Sequence, residues 1–255
     1  MKNKTQFQIG WTTHMTEQLY LSNDVYVCVT EGHGVFLDLK RDKYSAVIFS
    51  APQEAASGQA PPDSMPASLA QKLTAQKEDL LQAGLLTTDP STGRPIEGAP
   101  IEGVDGHIFG LDDQRAFGLT GEAAAGLKIS IGEMWDFFTA SWQASRDLKG
   151  KHISRIVENV RRRKARQGAQ ALDIEKVRRL TAVYRRLRPW YPRKYLCLYD
   201  SLALVEFMAR RKVYPLWVFA VQAQPFNAHC WVQTERLLLN EGSEFAGQYT
   251  PIMAI

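Results

Sequence analysis

The chain reads as an α+β protein of two units, and three observations carry that reading. Between Gln18 and Phe49, short β-branched and aromatic runs alternate with turn signals, the pattern of antiparallel hairpins. From Ile131 onward apolar residues recur at helical spacing through successive helices. A further apolar helix then opens on a cysteine and runs into strand-patterned segments, all between Tyr195 and Glu241. The expected boundaries are a first unit over 1–90, a linker over 91–120 and a second unit over 121–255.

Composition narrows the class. The chain has 255 residues, 45% of them apolar and 10% aromatic, enough for packed cores and unlike a disordered chain. Uninterrupted apolar runs stay too short for a membrane span, and Met1-Lys-Asn-Lys-Thr-Gln-Phe-Gln lacks the apolar segment of a signal peptide. Cys28, Cys197 and Cys230 are too widely spaced for a disulfide framework or a Cys-x-x-Cys metal site. His14, His33, His107 and His152 show no metal-ligand spacing, and no glycine-rich phosphate loop is present. The expectation is a reduced, cytoplasmic protein without metal or other cofactor. Its net charge of +4 is unevenly placed: Lys149 to Lys194 holds sixteen of 31 Lys and Arg against three acids, Glu158, Asp173 and Glu175. Such a stretch suits nucleic acid, an acidic peptide or protein surface, or a solvated helix face.

In the first unit, Leu19-Tyr-Leu-Ser and Val25-Tyr-Val-Cys-Val are split by Asn23-Asp24. Glu31-Gly-His-Gly leads into Val35-Phe-Leu-Asp-Leu, and Lys40-Arg-Asp-Lys into Tyr44-Ser-Ala-Val-Ile-Phe. Cys28 lies within a strand and reads as a small core residue. Ala51–Pro66 reads as loop, and Ala67–Leu86 as helical, with Leu69, Leu73, Leu80 and Leu81 near helical spacing. Strands followed by two or three helices in so short a span predict a winged-helix-like module. Thr87–Gly126, with its repeated Pro-Ile-Glu-Gly, reads as the linker.

In the second unit, Met134, Phe137, Phe138 and Trp142 form one apolar helix face, expected to be core. Ser154–Arg166 continues as a basic helix. Asp173–Arg188 is a third, with Ile174, Val177, Leu180, Tyr184 and Leu187 spaced for burial and Pro189 ending it. Then come Cys197–Met208 as a helix, Tyr214–Val221 as a strand, Ala228-His-Cys-Trp-Val232, and Leu237-Leu-Leu-Asn-Glu241. A cysteine at a helix N-terminus, a histidine on a following strand and a polar or acidic residue beyond is the papain-type order. A thiol with pKa near ~8.5 is mostly protonated at neutral pH, so a helix N-terminus and an imidazolium must draw it toward thiolate. A third residue must hold the imidazole, and Asn240 and Glu241 compete for that place. Strand alternation sends Cys230 to the face opposite His229 and puts Trp231 on the histidine's own face, where it can wall the ring. Asp200 reads as an acid satisfying the helix N-terminus.

The run Lys194-Tyr-Leu-Cys-Leu-Tyr-Asp-Ser-Leu-Ala-Leu, then Pro225-Phe-Asn-Ala-His-Cys-Trp-Val, Leu239-Asn-Glu and Tyr249-Thr-Pro resembles the lasso-peptide maturation B proteins. The resemblance implies a winged-helix-like peptide-recognition domain followed by a transglutaminase/papain-like cysteine protease that removes the leader of a ribosomally made precursor. Cys197 would be the nucleophile, His229 the base and Glu241 the third residue, where the family usually has Asp. Gly34-Val-Phe-Leu-Asp-Leu with the later Tyr44-Ser resembles the recognition element of such systems. There the leader adds a strand beside the third strand and packs on the third helix. Carried over, Tyr44, Ala46 and Ile48 would form the edge, with Leu80 and Leu81 on a helix from about Lys77 to Leu86. The implied partners are the precursor peptide and an ATP-dependent, asparagine-synthetase-like lactam synthetase. Two other readings stand beside this one. The same thiol could pass an acyl group to an amine, or the chain could be a non-enzymatic nucleic-acid binder, which leaves the Cys/His/Glu order unexplained.

Overall fold

The structure, a computed structural model, describes residues 18–49, 65–96, 126–168, 172–234 and 237–255. In the first unit, β2 (Val25–Thr30), β3 (His33–Asp38) and β4 (Lys43–Ile48) form an antiparallel meander in the order β2-β3-β4. Glu31 and Gly32 close the first hairpin with φ of 50° and 75°, the left-handed pair that lets a two-residue turn follow the strand twist. At the next turn, one Asp38 carboxylate oxygen accepts from the backbone N–H groups of Lys40 and Arg41, at 2.9 and 3.0 Å.

Val25-Tyr-Val-Cys-Val is apolar at every position because both faces of this sheet are covered. On one face Val25, Val27 and Phe36 meet Leu69 and Leu73 of α1 (Met65–Ala75) and Leu80 of α2 (Lys77–Gln82). The helix expected over Ala67–Leu86 is therefore two helices, broken at Gln76. On the other face Tyr26, Cys28, Val35 and Leu37 join the core of the second unit. Thr250 Oγ1 donates to Thr30 Oγ1 at 3.0 Å and Gln224 N–H to Glu31 at 2.9 Å, and Arg161 donates to the Tyr26 hydroxyl. A second small sheet pairs β1 (Tyr20–Ser22) with β5 (Leu86–Thr87) and β6 (Gly93–Arg94). Residues 93–94, within the segment expected as linker, thus form a strand, and the Arg94 guanidinium donates to Val25 O. Gly93 is required there, since a Cβ would lie 2.4 Å from that of Tyr20.

The second unit stacks α3 (Ile131–Gly150), α4 (Ile153–Gln167), α5 (Ile174–Leu187) and α6 (Cys197–Arg210) against an antiparallel sheet. Its strands β7 (Leu216–Gln222), β8 (Asn227–Gln233) and β9 (Thr250–Ala254) lie in the order β8-β7-β9, with a short α7 (Ser243–Ala246) before the last. Ser130 opens α3 with a capping box, its hydroxyl accepting from Glu133 N–H while the Glu133 carboxylate takes Ser130 N–H. The apolar face expected on α3 is rotated: Phe137 is fully buried, but Met134, Phe138 and Trp142 are exposed. The buried stripe is Phe137, Ala140, Ser141 and Ala144, small residues suited to close packing of a neighbouring helix.

From Tyr199 to Met208 every described side chain of α6 except that of Asp200 is buried, Leu202, Leu204 and Phe207 completely. Trimming Leu202 to alanine would cost about 2–5 kcal/mol. Several residues of the basic stretch act within the fold. Arg163 grips Glu206 with two hydrogen bonds of 2.7 and 2.8 Å, Arg179 pairs with Glu133, and Arg188 with Asp200. Among the described residues no helix is long and apolar enough to cross a membrane.

Candidate active site

The turn that delivers Cys197 to the head of α6 is held by one buried arginine. Arg188, 3% exposed, donates to the carbonyls of Tyr191, Arg193 and Lys194 at 3.1–3.2 Å and pairs with Asp200. The other Asp200 oxygen accepts the N–H of Leu196, the helix N-cap, at 2.7 Å. Asp200 therefore satisfies the helix start, and Arg188 neutralises it. Cys197 is the first helical residue, where backbone N–H groups lack intrahelical partners and favour negative charge.

His229 comes from β8, opposite Ala220 of β7. Its Nε2 lies 2.7 Å from Oε2 of Glu241, which leaves Nδ1 for the thiol of Cys197, with which the imidazole also hydrogen-bonds. The second Glu241 oxygen accepts Gly242 N–H at 2.9 Å. Asn240, the rival for this place, instead accepts the backbone N–H of Val232 at 2.7 Å, tying the incoming chain to β8. The extra methylene of Glu over Asp is used to reach the ring from a residue beyond that tie.

These neighbours set the charges. Hydrogen bonds from Cys230 and His229 draw the Cys197 thiol down to about 4 against the opposing effect of burial. Burial alone would lower the pKa of His229, but its hydrogen bonds to Cys197 and Glu241 lift it to about 9. Burial likewise pushes Glu241 up, and the bonds from His229 and Gly242 outweigh it, holding the carboxylate ionised. At neutral pH the line is thiolate, imidazolium, carboxylate. It can attack an acyl carbon, give a proton to a leaving group and keep the ring oriented.

Trp231 is fully buried, its indole N–H on Gln233, with its ring centre 6.0 Å from that of His229. Two rings lie closer: Phe245, which carried no sequence signal, at 5.0 Å, and Tyr249, which the sequence offered only as part of a motif and without a role, at 5.1 Å. Cys230 does turn toward α6, with Ser201 Oγ at 3.3 Å. Yet this brings it onto Cys197 rather than away from the site, because the nucleophile candidate sits at the helix end that β8 crosses.

The five residues expected to hold a leader divide. Tyr44, Ala46 and Ile48 lie on β4, which among the described residues pairs only with β3. Phe49 N–H donates to Gly32 O, so by antiparallel alternation Tyr44, Ala46 and Ile48 turn their own N–H and C=O groups away from β3, where Ile48 O already accepts from the Gln76 side-chain amide at 2.9 Å. Their side chains share the face of Val35 and Leu37, the face toward the second unit. Tyr44 packs beside the turn between β7 and β8, its ring 5.5 Å from that of Phe226. Burial, with the nearby Cys230, Asp42, Cys197 and Cys28, holds its phenol neutral. Leu80 is 2% exposed inside the α1/α2 core, so its side chain has no free surface for a peptide, whereas Leu81 is partly exposed at the margin of that core.

Residues 140–254 match the transglutaminase-like superfamily, a stretch that contains Cys197, His229 and Glu241. The chain matches no curated protein and no solved structure in the same comparisons. A transglutaminase-like domain fits a cysteine-protease or acyltransferase kind of activity.

Proposed function

We propose that the chain is a leader peptidase of the lasso-peptide B type, a cysteine protease with its own recognition unit for the precursor. The observation that carries the reading is the line Cys197, His229, Glu241 at a helix N-terminus, with a strand edge whose Tyr44 packs beside the turn between β7 and β8. We read β2–β4 with α1 and α2 as the winged-helix-like unit, and β4 as the edge on which a leader strand is added.

The Cys197 thiolate attacks the scissile carbonyl, and the N–H groups at the head of α6 face the oxyanion that develops. The His229 imidazolium gives its proton to the departing amine, leaving a thioester on Cys197. Neutral His229 then takes a proton from water, which attacks the thioester and releases the leader as a free acid. Glu241 keeps the ring in register through both steps. Capture of the leader at β4 raises the effective concentration of the scissile bond at Cys197. The freed amine would pass to the ATP-dependent lactam synthetase.

An acyl-transfer reading shares every step up to the thioester and replaces water by an amine. The superfamily domain supports both. Purified protein with a candidate precursor, wild type against Cys197→Ala, read by mass spectrometry, separates them. Free leader acid supports hydrolysis and an amide-linked adduct supports transfer. Release that survives in Cys197→Ala would sink the nucleophile.

A further inference from the structure

Two thiols, not one, stand at the head of α6. Cys230 is 3% exposed, and its sulfur lies 3.3 Å from Ser201 Oγ, one helical turn beyond Cys197 on the same face of α6. Ser201 Oγ itself accepts the indole N–H of the fully buried Trp217 at 2.9 Å. That buried chain fixes the second sulfur beneath the helix head that carries the first. Acyl transfer through Cys197 gives no task to a second thiol, so the pairing calls for its own account. The two thiols also differ in character. Cys197 is partly open to solvent and ionised, whereas hydrogen bonding to Cys197, then burial and the Cys197 charge, keep Cys230 protonated. An accessible thiolate beside a thiol that can resolve it is the arrangement of a reversible redox site.

We propose that Cys197 and Cys230 are the site of a reversible disulfide, closed by hydrogen peroxide, that takes the nucleophile out of action and shields it from irreversible oxidation. Its effect on activity rests on Cys197 being the nucleophile; the bond itself rests on the geometry alone. The Cys197 thiolate attacks one peroxide oxygen, and the O–O bond breaks. The departing hydroxide takes a proton from the His229 imidazolium and leaves as water, so sulfur is oxidised to the sulfenic acid and peroxide is reduced. The Cys197 charge that helped keep Cys230 protonated has then gone. The Cys230 sulfur displaces hydroxide from the Cys197 sulfur, and its proton leaves with that hydroxide as a second water. A dithiol reductant reverses the bond by thiol exchange.

The test uses the full chain treated with hydrogen peroxide, quenched, denatured, alkylated and weighed intact. The reduced protein should take three alkyl groups, one for each free cysteine. The oxidised protein should take one, weigh two hydrogens less before labelling, and yield a peptide joining residues 197 and 230. Dithiothreitol should restore three labels. Cys28→Ser should behave like wild type. Cys230→Ser and Cys230→Ala, each checked for folding by circular dichroism, should form no cross-link and should carry Cys197 on to a sulfinic acid that dithiothreitol cannot reverse. A wild-type protein that gains oxygen on Cys197 while Cys230 stays alkylatable overturns the proposal, as does a cross-link to Cys28. The two readings fail separately. Leader release by Cys197→Ala would remove the nucleophile and leave the mass result standing. An inactive Cys197→Ala with no wild-type disulfide removes this proposal alone.

Discussion

Nε2 of His229 meets Oε2 of Glu241 at 2.7 Å, while Asn240, one residue earlier, gives its side-chain oxygen to the backbone of Val232. Two adjacent polar residues thus do different work, one on the ring and one on the strand that carries it.

Glu241→Gln keeps size and position but removes the charge that balances the imidazolium. By comparison with known triads, kcat should fall about 10³–10⁴-fold with the fold intact. Asn240→Ala should leave kcat nearly unchanged and cost about 1–3 kcal/mol of stability, because Val232 N–H loses its acceptor. Steady-state kinetics and urea unfolding of both variants decide it. The opposite pattern would exchange the two roles.

The pH profile follows from the charges of the pair. Below about 4 the Cys197 thiolate takes a proton and the nucleophile is lost. Above about 9 the His229 imidazolium gives up the proton needed by the leaving amine. We expect kcat/KM to form a plateau between these limits and to decline on both sides. His229→Ala and Cys230→Ala should each raise the pH at which Cys197 becomes alkylatable, toward the ordinary thiol value of about 8.5. An alkylation profile that neither substitution moves would contradict the assigned hydrogen bonds.

The β4 edge can be tested without dismantling the first unit. Removing residues 1–90 would also strip Tyr26, Cys28, Val35 and Leu37 from the core they share with the second unit. Ala46→Pro deletes only an N–H that points to the open edge and leaves the ladder with β3 in place. One hydrogen bond to an added strand, at about 0.5–1.5 kcal/mol, translates into KM raised about two- to tenfold, with kcat retained. An unchanged KM would move leader capture elsewhere.

Arg188→Ala should act on stability and activity together. It leaves Asp200 without its counter-charge and the carbonyls of Arg193 and Lys194 without their guanidinium donor, a loss of about 3–5 kcal/mol. Arg188→Lys should recover only part of this, since an ammonium cannot reproduce the forked geometry. Thermal unfolding, with alkylation of Cys197 as the local readout, checks both.

Local signals explain what was legible beforehand. The helix end at Pro189, the apolar run after Cys197 and the turn-flanked strands are each written within a few residues of one another, where spacing maps directly onto structure, whereas the cysteine, histidine and acid were legible only as an order along the chain. Periodicity was misleading on α3. Its largest apolar residues pointed to a core face, but burial went to Phe137 with Ala140 and Ala144, since close helix packing rewards small side chains. The family resemblance places Leu80 on a peptide surface, whereas the packing of α1 and α2 on the sheet encloses it.

The sequence by itself determined the α+β class, the four long helices of the second unit with the strands that carry Trp217 and His229, and the candidates Cys197, His229 and an acid or amide at 240–241. The strand Thr250–Ala254 was not legible, and Leu237–Glu241 forms an isolated bridge rather than a strand. Tertiary structure decided which of Asn240 and Glu241 meets the imidazole, that Arg188 clamps the turn before Cys197, that Phe245 and Tyr249 flank the ring, and that Cys230 rests on Cys197. The reason is distance along the chain. These contacts join residues brought together by strand pairing and by the packing of α6 on β8, and neither spacing nor composition records where separate elements touch.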